Sequence, residues 1–303
     1  MPGSPDLAII PRDPKYAAYR GYQIAFFGLD KSPLEQFGIY LQRLFTLDWG
    51  VSYFYKKPVL QILLNDLGWT LLLVGVSTVI TIVFGILIGS YAAVRRGKPF
   101  DLVSTGLGIF FYGMPIFWLA LMLQVTFRRT SPLRDLFSWW PELPTQGYFS
   151  DQLIPWQWDS LHVTDAFLHL ILPAATLALG TLAGISLVMR SSLIDVMTED
   201  FLVTARAKGL SERQVLRGHI LPNGLPPMVS LIALDIAFIL GGAYQVEYVF
   251  NYQGIGFRTI EAINNLDYPL LQFIVVLGGV AVVIANLVSD FILVLLDPRI
   301  KIT

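Results

Sequence analysis

The stretch "LGWTLLLVGVSTVITIVFGILIGSYAAV", residues 67–94, contains no charged side chain. A helix that crosses a bilayer needs about 20 mostly apolar residues, so this segment is long enough to span one. It lacks the strict alternation of apolar and polar residues that is typical of a barrel strand. A helix satisfies every backbone hydrogen bond within its own segment. We therefore predict a transmembrane helix at residues 67–94.

Four further stretches of the chain meet the same criterion of length and apolarity. They are residues 102–127, 166–189, 225–250 and 269–296. Only 14% of the 303 residues are charged and 54% are hydrophobic, whereas soluble domains carry roughly 25% charge. The sequence thus predicts an all-α polytopic membrane protein with five transmembrane helices, in which an N-terminal segment, 1–66, precedes a transmembrane domain, 67–303.

The composition excludes several classes of function. The net charge of −1 and the absence of cysteine give no indication of a nucleic-acid partner, a disulfide or a thiolate metal site. The three histidines, His162, His169 and His219, are too scattered along the chain for a metal site. No GxxxxGK[ST] motif for nucleotide phosphates occurs. We expect this chain to bind no cofactor and to be no enzyme.

The basic residues indicate the orientation. The five spans divide the connecting segments into two sets, and the raw numbers of Lys and Arg in the two sets are nearly equal. In one set, which includes Arg95, Arg96 and the loop 191–224, these residues lie close to the ends of the spans. Positive charge next to a span favours the cytoplasm. We expect 191–224 to be cytoplasmic, and residues 1–66 and the loop 128–165 to be external.

An external N-terminal segment must cross the membrane. Residues 1–66, however, lack the pattern of a signal peptide, in which positively charged residues precede an apolar stretch. One alternative is direct insertion with the N-terminus outside. The other is that a first helix, absent from this chain, precedes the stretch "MPGSPDL". The polar character of residues 1–66 favours the second alternative.

The N-terminal segment contains a helix start. Ser32-Pro33-Leu34-Glu35 combines an N-cap, a proline at the first helical position and the glutamate of a capping box. The apolar residues that follow at helical spacing are Leu34, Phe37, Leu41, Leu44 and Phe45. A helix on the membrane surface and a small packed subdomain explain this pattern equally well.

The external loop 128–165 contains the tryptophans Trp139, Trp140, Trp156 and Trp158. Indole rings are enriched at membrane interfaces, so interface anchoring is the first interpretation, and docking of a partner is the alternative.

Polar residues inside the predicted spans are candidates for a translocation path. A charged group at mid-span costs roughly 2.5–3.5 kcal/mol on insertion scales. The candidates are Asp235, Gln245, Glu247, Asn286 and Asp290. Interhelical hydrogen bonding is the alternative for each of them and is favoured for Asn286 and Asp290. In the second span, Gly113-Met114-Pro115 predicts a kink.

The cytoplasmic stretch "FLVTARAKGLSERQVLRGHILP", residues 201–222, has the pattern of two short helices. Thr198 is a candidate N-cap for the first, and Gly209 is suited to the left-handed stop at its end. Ser211 and Gln214 match a capping box for the second helix, and Leu221-Pro222 ends it. Small residues at Ala205, Ala207 and Gly209 permit close approach of another surface. A lipid-binding basic loop is the alternative.

This stretch resembles the permease subunits of ABC importers of the dipeptide, oligopeptide and nickel class. That superfamily carries a cytoplasmic Glu-Ala-Ala, three residues, Gly, nine residues, Ile-x-Leu-Pro pattern. Gly209 and Leu221-Pro222 are in register with it, whereas the Glu-Ala-Ala positions read Val203-Thr204-Ala205 and the Ile position reads His219. The stretches "ELPTQGY" (142–148), "LHLILPAATLALG" (168–180), "VEYVFNYQGIG" (246–256) and "NLDYPLLQ" (265–272) also have counterparts in this class.

The resemblance implies a type I importer permease fold with a core of six helices, of which this chain would lack the first. It implies as partners a second permease, two cytoplasmic ATP-binding subunits that carry ATP and Mg²⁺, and an external binding protein, in a bacterial or archaeal cell membrane. The loop that docks on the ATP-binding subunit would contain Ala205, Arg206, Ala207, Lys208, Gly209, Leu210, Ser211, Leu221 and Pro222.

The implied cargo is peptides or related small solutes, including oligosaccharides, and nothing in the chain favours a metal. The rival functions are an ion-coupled secondary transporter, which often has inverted repeats, and a channel. The two halves of the chain show no convincing repeat.

Overall fold

The computed structural model describes residues 21, 24–150, 160–229, 231–232 and 243–296, and these residues contain helices and no β-strand beyond the isolated bridge between Val51 and Pro58. We number the helices α1 to α12 in chain order. They are α1 (Pro33–Thr46), α2 (Val59–Val94), α3 (Pro99–Tyr112), α4 (Ile116–Phe127), α5 (Pro132–Leu136), α6 (Ser160–Val196), α7 (Phe201–Ala207), α8 (Glu212–Val215), α9 (Leu221–Gly224), α10 (Tyr244–Val249), α11 (Ile255–Asn264) and α12 (Tyr268–Leu296), with a π-helix, Leu216–Ile220, between α8 and α9.

Four of the five predicted spans have a counterpart among these helices. α2, α6 and α12 are each long and apolar enough to cross a membrane, and α3 and α4 pass the same test as a bent pair, which makes a fourth span if the pair crosses as one. Residues 230 and 233–242 of the fifth predicted span, 225–250, lie outside the described residues, so the number five stays a prediction.

α2 begins eight residues before the predicted span (59 against 67). The boundary that we placed between residues 66 and 67 therefore falls inside a helix. The physical reason is that Asp66 has an ion-pair partner, Arg258, which allows a carboxylate on a partly buried helix.

The predicted break in the second span is confirmed. α3 ends at Tyr112 and α4 begins at Ile116, and the chain direction turns by 103° between them. Pro115 lacks the backbone N–H that a continuous helix would need, and it disfavours the helical conformation of Met114 before it.

α2 and α6 form the central helix pair of the bundle, and two glycines on α2 allow their backbones to meet. A Cβ at Gly89 would lie 2.4 Å from the carbonyl oxygen of Ser186, and one at Gly85 would lie 2.7 Å from Cγ2 of Ile185. Glycines four residues apart are a recurrent device for close helix packing in membranes. Thr81 and Thr181 add a hydrogen bond of 3.0 Å between the same two helices.

The N-terminal segment packs on one end of α2 and α12. We call this end the outer end, because residues 1–66 are predicted to be external, and we call the opposite end, which is predicted to face the cytoplasm, the cytoplasmic end. The indole ring of Trp49 stacks on Phe273 of α12, with 4.8 Å between ring centroids. The carboxylate of Asp267 accepts hydrogen bonds from the Ser52 hydroxyl and from the backbone N–H groups of Tyr53 (3.0 Å) and Phe54 (3.2 Å). This buried carboxylate therefore holds the turn before α2 against the start of α12.

The helix predicted after Ser32 is confirmed with its capping box, and Pro33 is its first residue. Tyr40 and Leu44 pack against the cluster around Trp49 and Phe273. Leu41 is partly buried, whereas Leu34, Phe37 and Phe45 of the apolar face are exposed, so α1 is attached to the bundle along one side.

Candidate functional site

The cytoplasmic end of the bundle carries the two-helix segment that the sequence predicts. α7 begins at Phe201 and α8 at Glu212. The predicted capping role of Thr198 is wrong: residue Asp200 occupies the N-cap position of α7, and the Thr198 hydroxyl donates instead to the carbonyl of Asp195 (2.7 Å). α6 continues to Val196, which leaves too few residues for a helix that starts at 199.

The turn between α7 and α8 has the predicted geometry. Gly209 has a φ of +79°, the left-handed conformation that glycine adopts most readily. Ser211 and Gln214 form a reciprocal capping box at the start of α8. Across the turn, the Arg206 Nε donates to Glu212 at 2.9 Å, and both side chains are exposed to solvent. These local interactions stabilise the turn.

The inner face of this segment is part of the bundle core. Leu202, Ala205 and Val215 are buried in a cluster that also contains Met189 and Leu193 of α6. Ala205 is only 5% exposed, so its small side chain serves packing within this chain and is not on the outer surface.

The outer face of the segment is open. Ala207, Lys208 and Gly209 are exposed, and no atom lies within 4 Å of a Cβ built at Gly209. Arg206 and Ser211 are exposed beside them, whereas Leu210 is partly buried. We call Ala207, Lys208 and Gly209, with Arg206 and Ser211, the coupling surface, after the role that the resemblance predicts for them.

The chain leaves this segment through a π-helix, Leu216–Ile220, which runs directly into α9. A shallow depression on the cytoplasmic side is lined by Ser211, Arg213, Gln214, Arg217 and Gly218. Leu221 is partly buried and Pro222 is exposed. Both residues belong to α9, so the prediction that Leu221-Pro222 ends the second helix is wrong. A proline at the second position of α9 is compatible with a helix start.

At the opposite, outer end, Glu247 is fully buried. Its carboxylate accepts hydrogen bonds from the Thr70 hydroxyl (2.8 Å) and from the backbone N–H of Phe257 in the first turn of α11 (2.9 Å). Thr70 also accepts from the backbone N–H of Ile255 (2.8 Å). Glu247 thus caps α11 and joins it to α2, as the interhelical alternative predicts. Its place in a translocation path stays a prediction.

The other candidates for the path are placed as follows. Gln245 on α10 is partly buried, and its amide donates to the hydroxyl of Tyr244 at 3.4 Å. Asn286 is exposed on α12. Asp235 and the side chain of Asp290 lie outside the described part of the chain, so their roles stay predictions.

Two ion pairs were missed by sequence reasoning. Arg258 on α11 donates through Nε to Asp66 on α2 (2.5 Å), and Arg190 on α6 binds Asp101 on α3 through Nε (2.5 Å) and Nη2 (2.8 Å). The partners are far apart in sequence. The available signal was that each carboxylate lies at the edge of a predicted span, where an unpaired charge is unfavourable.

Arg258 is the centre of a polar cluster at the outer end. Its guanidinium also donates to the Tyr55 hydroxyl (2.7 Å) and to Glu261 (2.8 Å). Burial is the largest single effect and disfavours the charged guanidinium, but the charge and hydrogen bond of Asp66 together with those of Tyr55 outweigh it and raise the pKa of Arg258 above its ordinary value. Burial, together with the hydrogen bond that Tyr55 donates to Glu261, raises the pKa of the Tyr55 phenol. Arg258 therefore stays charged and Tyr55 neutral.

The two described tryptophans of the loop 128–165, Trp139 and Trp140, differ in their surroundings. Trp140 donates its indole N–H to the carbonyl of Thr126 (3.0 Å) and stacks on Phe127, whereas Trp139 is 73% exposed. Trp156 and Trp158 fall outside the described residues. Trp140 is a packing residue of this loop, and neither interpretation of the group as a whole is tested.

Comparison with known proteins agrees with this architecture. The chain is 33% identical over 285 residues to the dipeptide transport system permease protein DppB of Escherichia coli, an alignment that covers 92% of this chain and 84% of the relative. It is 31% identical over 302 residues to the oligopeptide transport system permease protein AppB of Bacillus subtilis, with 99% of this chain and 90% of the relative covered.

Solved structures support the fold at lower identity. An inward-facing structure of the MetNI methionine ABC transporter matches with a TM-score of 0.57 and 17% identity, covering 78% of this chain and 96% of that chain. An amino acid ABC transporter crystallised with histidines matches with a TM-score of 0.53 and 15% identity, covering 79% of this chain and 94% of that chain.

Residues 85–302 match the family described as "Binding-protein-dependent transport system inner membrane component". This match covers well over half of the chain and includes the coupling surface. The chain therefore belongs to the family of inner membrane permease components of binding-protein-dependent ABC importers.

Proposed function

We propose that this permease forms, with a second permease, the path by which peptides or related small solutes are imported. The relatives that align over most of the chain are permeases of dipeptide and oligopeptide transport systems, which supports peptides as the cargo. The chain contains no phosphate-binding GxxxxGK[ST] motif. Two separate cytoplasmic ATP-binding subunits would therefore hold ATP and Mg²⁺ and hydrolyse the nucleotide, and an external binding protein would deliver the cargo in a bacterial or archaeal cell membrane.

The observation that carries the energy-coupling part of the proposal is the two-sided construction of the segment 201–222. Its inner face is locked into the core through Leu202 and Val215, whereas its outer face is open around Gly209. A segment that is packed into the core on one face can pass the movement of a partner bound to its other face on to the transmembrane helices. We propose that this partner is an ATP-binding subunit that docks on the coupling surface.

The test is Gly209→Val in the assembled transporter. A side chain at this position strains the left-handed backbone and protrudes from the docking surface. We expect lower uptake and less co-purified ATP-binding subunit, while the permease still inserts into the membrane.

Gly97→Val is the matched control. Gly97 has a φ of +74°, is exposed, lies in the cytoplasmic turn between α2 and α3, and has no atom within 4 Å of a Cβ. It shares the backbone strain but lies outside the coupling surface, so it should retain the ATP-binding subunit. Equal losses in both variants, or full uptake by Gly209→Val, would refute the docking assignment.

For the path itself, Asp235 remains the leading candidate, because a lone carboxylate within a predicted span is costly unless it faces water or a partner. Asp235→Ala should lower uptake with little effect on expression and complex assembly. Failed assembly would assign Asp235 to helix–helix hydrogen bonding instead.

A further inference from the structure

The apolar stripe of α1 that faces away from the bundle consists of Leu34, Phe37 and Phe45. These side chains are 81%, 56% and 81% exposed, respectively. Their spacing of three and eight residues keeps them on one side of a helix. Contiguous exposed apolar side chains of this size are rare on a surface that faces water and mark an interaction site.

The level of α1 along the bundle identifies its surroundings. Tyr40, on the adjacent side of α1, contacts Phe273 of α12 with 6.2 Å between the rings. Phe273 is five residues into α12, or about 7–8 Å along the helix axis at 1.5 Å per residue. Helices that lie in the membrane interface bury their apolar face about 5–10 Å into the boundary between headgroups and acyl chains. The distance of Phe273 from the start of α12 therefore agrees with the depth at which an interfacial helix lies.

The surface beside α1 is continuous with the membrane-facing surface of the bundle. Val280 on α12 lies about two turns beyond Phe273 on the same face of the helix. It is 53% exposed on a helix that qualifies as a membrane span. Next to the stripe around the helix axis, about 60° from Phe45, Gln42 is exposed, and Glu35 caps the helix start. The helix therefore has an apolar side that continues the lipid-facing surface and a polar side suited to water and headgroups.

We propose that α1 is an interfacial membrane helix, with Leu34, Phe37 and Phe45 immersed in the lipid leaflet on the side of the α2 N-terminus. Tyr40 and Leu44 attach this helix to α12. α1 thereby fixes the height of the outer end of α12 relative to the bilayer surface. The proposal rests on the membrane spans and does not depend on the cargo or on ATP coupling.

The absence of cysteine from the chain makes a direct test available. Single variants Phe45→Cys and Leu34→Cys carry a nitroxide spin label, with Gln42→Cys as the matched control on the polar side of the same helix. All three positions are exposed, so the label should not disturb folding. The complete transporter is reconstituted in nanodiscs, and collision rates are measured with oxygen, which partitions into lipid, and with a water-soluble nickel chelate.

We expect labels at residues 34 and 45 to collide frequently with oxygen and rarely with the nickel chelate, and the label at residue 42 to show the reverse. Frequent nickel collisions at residues 34 and 45 would show that the stripe faces water. Low rates with both reagents at these positions would show that protein covers it, such as a preceding segment of a longer chain, the second permease or the binding protein. Either result would overturn the proposal.

Discussion

At the outer end of the bundle, Glu247 and Arg258 make their hydrogen bonds to groups within this chain, whereas at the cytoplasmic end Arg213, Arg217 and Lys208 are exposed. One glycine at each end illustrates the same contrast. A Cβ at Gly254 would lie 2.3 Å from the Thr70 hydroxyl, but one at Gly218 would meet nothing within 4 Å.

The contrast separates groups that hold the fold from groups that are free to bind a partner. A buried polar group is costly unless it is hydrogen-bonded, so the outer cluster must be satisfied within the chain. An exposed basic group is satisfied by water and can exchange it for a partner. The cytoplasmic end is therefore the better candidate for energy coupling, and the outer end is built to keep α2, α10 and α11 together.

The largest expected effect is on the outer end. Arg258→Met leaves the Asp66 carboxylate buried without its ion-pair partner, which typically costs about 3–5 kcal/mol. We expect a marked fall in the thermal stability of the purified complex. Arg134→Met is the control, because the Arg134–Glu142 pair is exposed and should contribute little. Equal thermal stability of the two variants would contradict the claim that the buried ion pair at the outer end stabilises the fold more than an exposed pair does.

A smaller effect is expected from filling glycines. Gly254→Ala forces a methyl group against Thr70 and against Glu247 Oε2, 2.6 Å away, and overpacking of this kind costs about 1–3 kcal/mol. Gly218→Ala, in the open cytoplasmic segment, should leave stability unchanged. Thermal unfolding of both purified proteins checks this prediction, and a stable Gly254→Ala protein would contradict the tight packing of the outer cluster.

The smallest effect is expected at Arg206. Arg206→Glu places two carboxylates together across the turn and removes an exposed ion pair worth about 0.2–1 kcal/mol. Co-purification of the ATP-binding subunit should decrease slightly. The charge swap Arg206→Glu with Glu212→Arg restores the pair. If the swap recovers co-purification fully, Arg206 supports the turn; if it does not, Arg206 contacts the partner directly.

Local features of the fold could be predicted from the sequence. The capping boxes at Ser32 and Ser211, the left-handed Gly209 and the break before Pro115 each depend on residues a few positions apart. Their geometry is fixed by backbone sterics and short-range hydrogen bonds. The apolar spans could also be predicted, because the length and composition of a segment indicate whether it can cross a membrane.

Features that depend on which helices meet could not be predicted. The Arg258–Asp66 contact joins residues 192 positions apart, and Arg190–Asp101 joins residues 89 positions apart. Glu247 lacked an obvious partner in the sequence, because its hydrogen bonds come from Thr70 on another helix and from a backbone N–H. Ala205 looked like a docking residue because its small size suits both docking and core packing.

The most direct test of the coupling surface compares two alanines on the same short helix. Ala207 is exposed, whereas Ala205 is buried against α6. In this cysteine-free chain, Ala207→Cys and Ala205→Cys each carry one thiol, which a photoactivatable maleimide can label in the assembled transporter. We predict a cross-link from residue 207 to the ATP-binding subunit and none from residue 205. An active transporter in which residue 207 is labelled but captures no ATP-binding subunit would contradict the assignment of this surface.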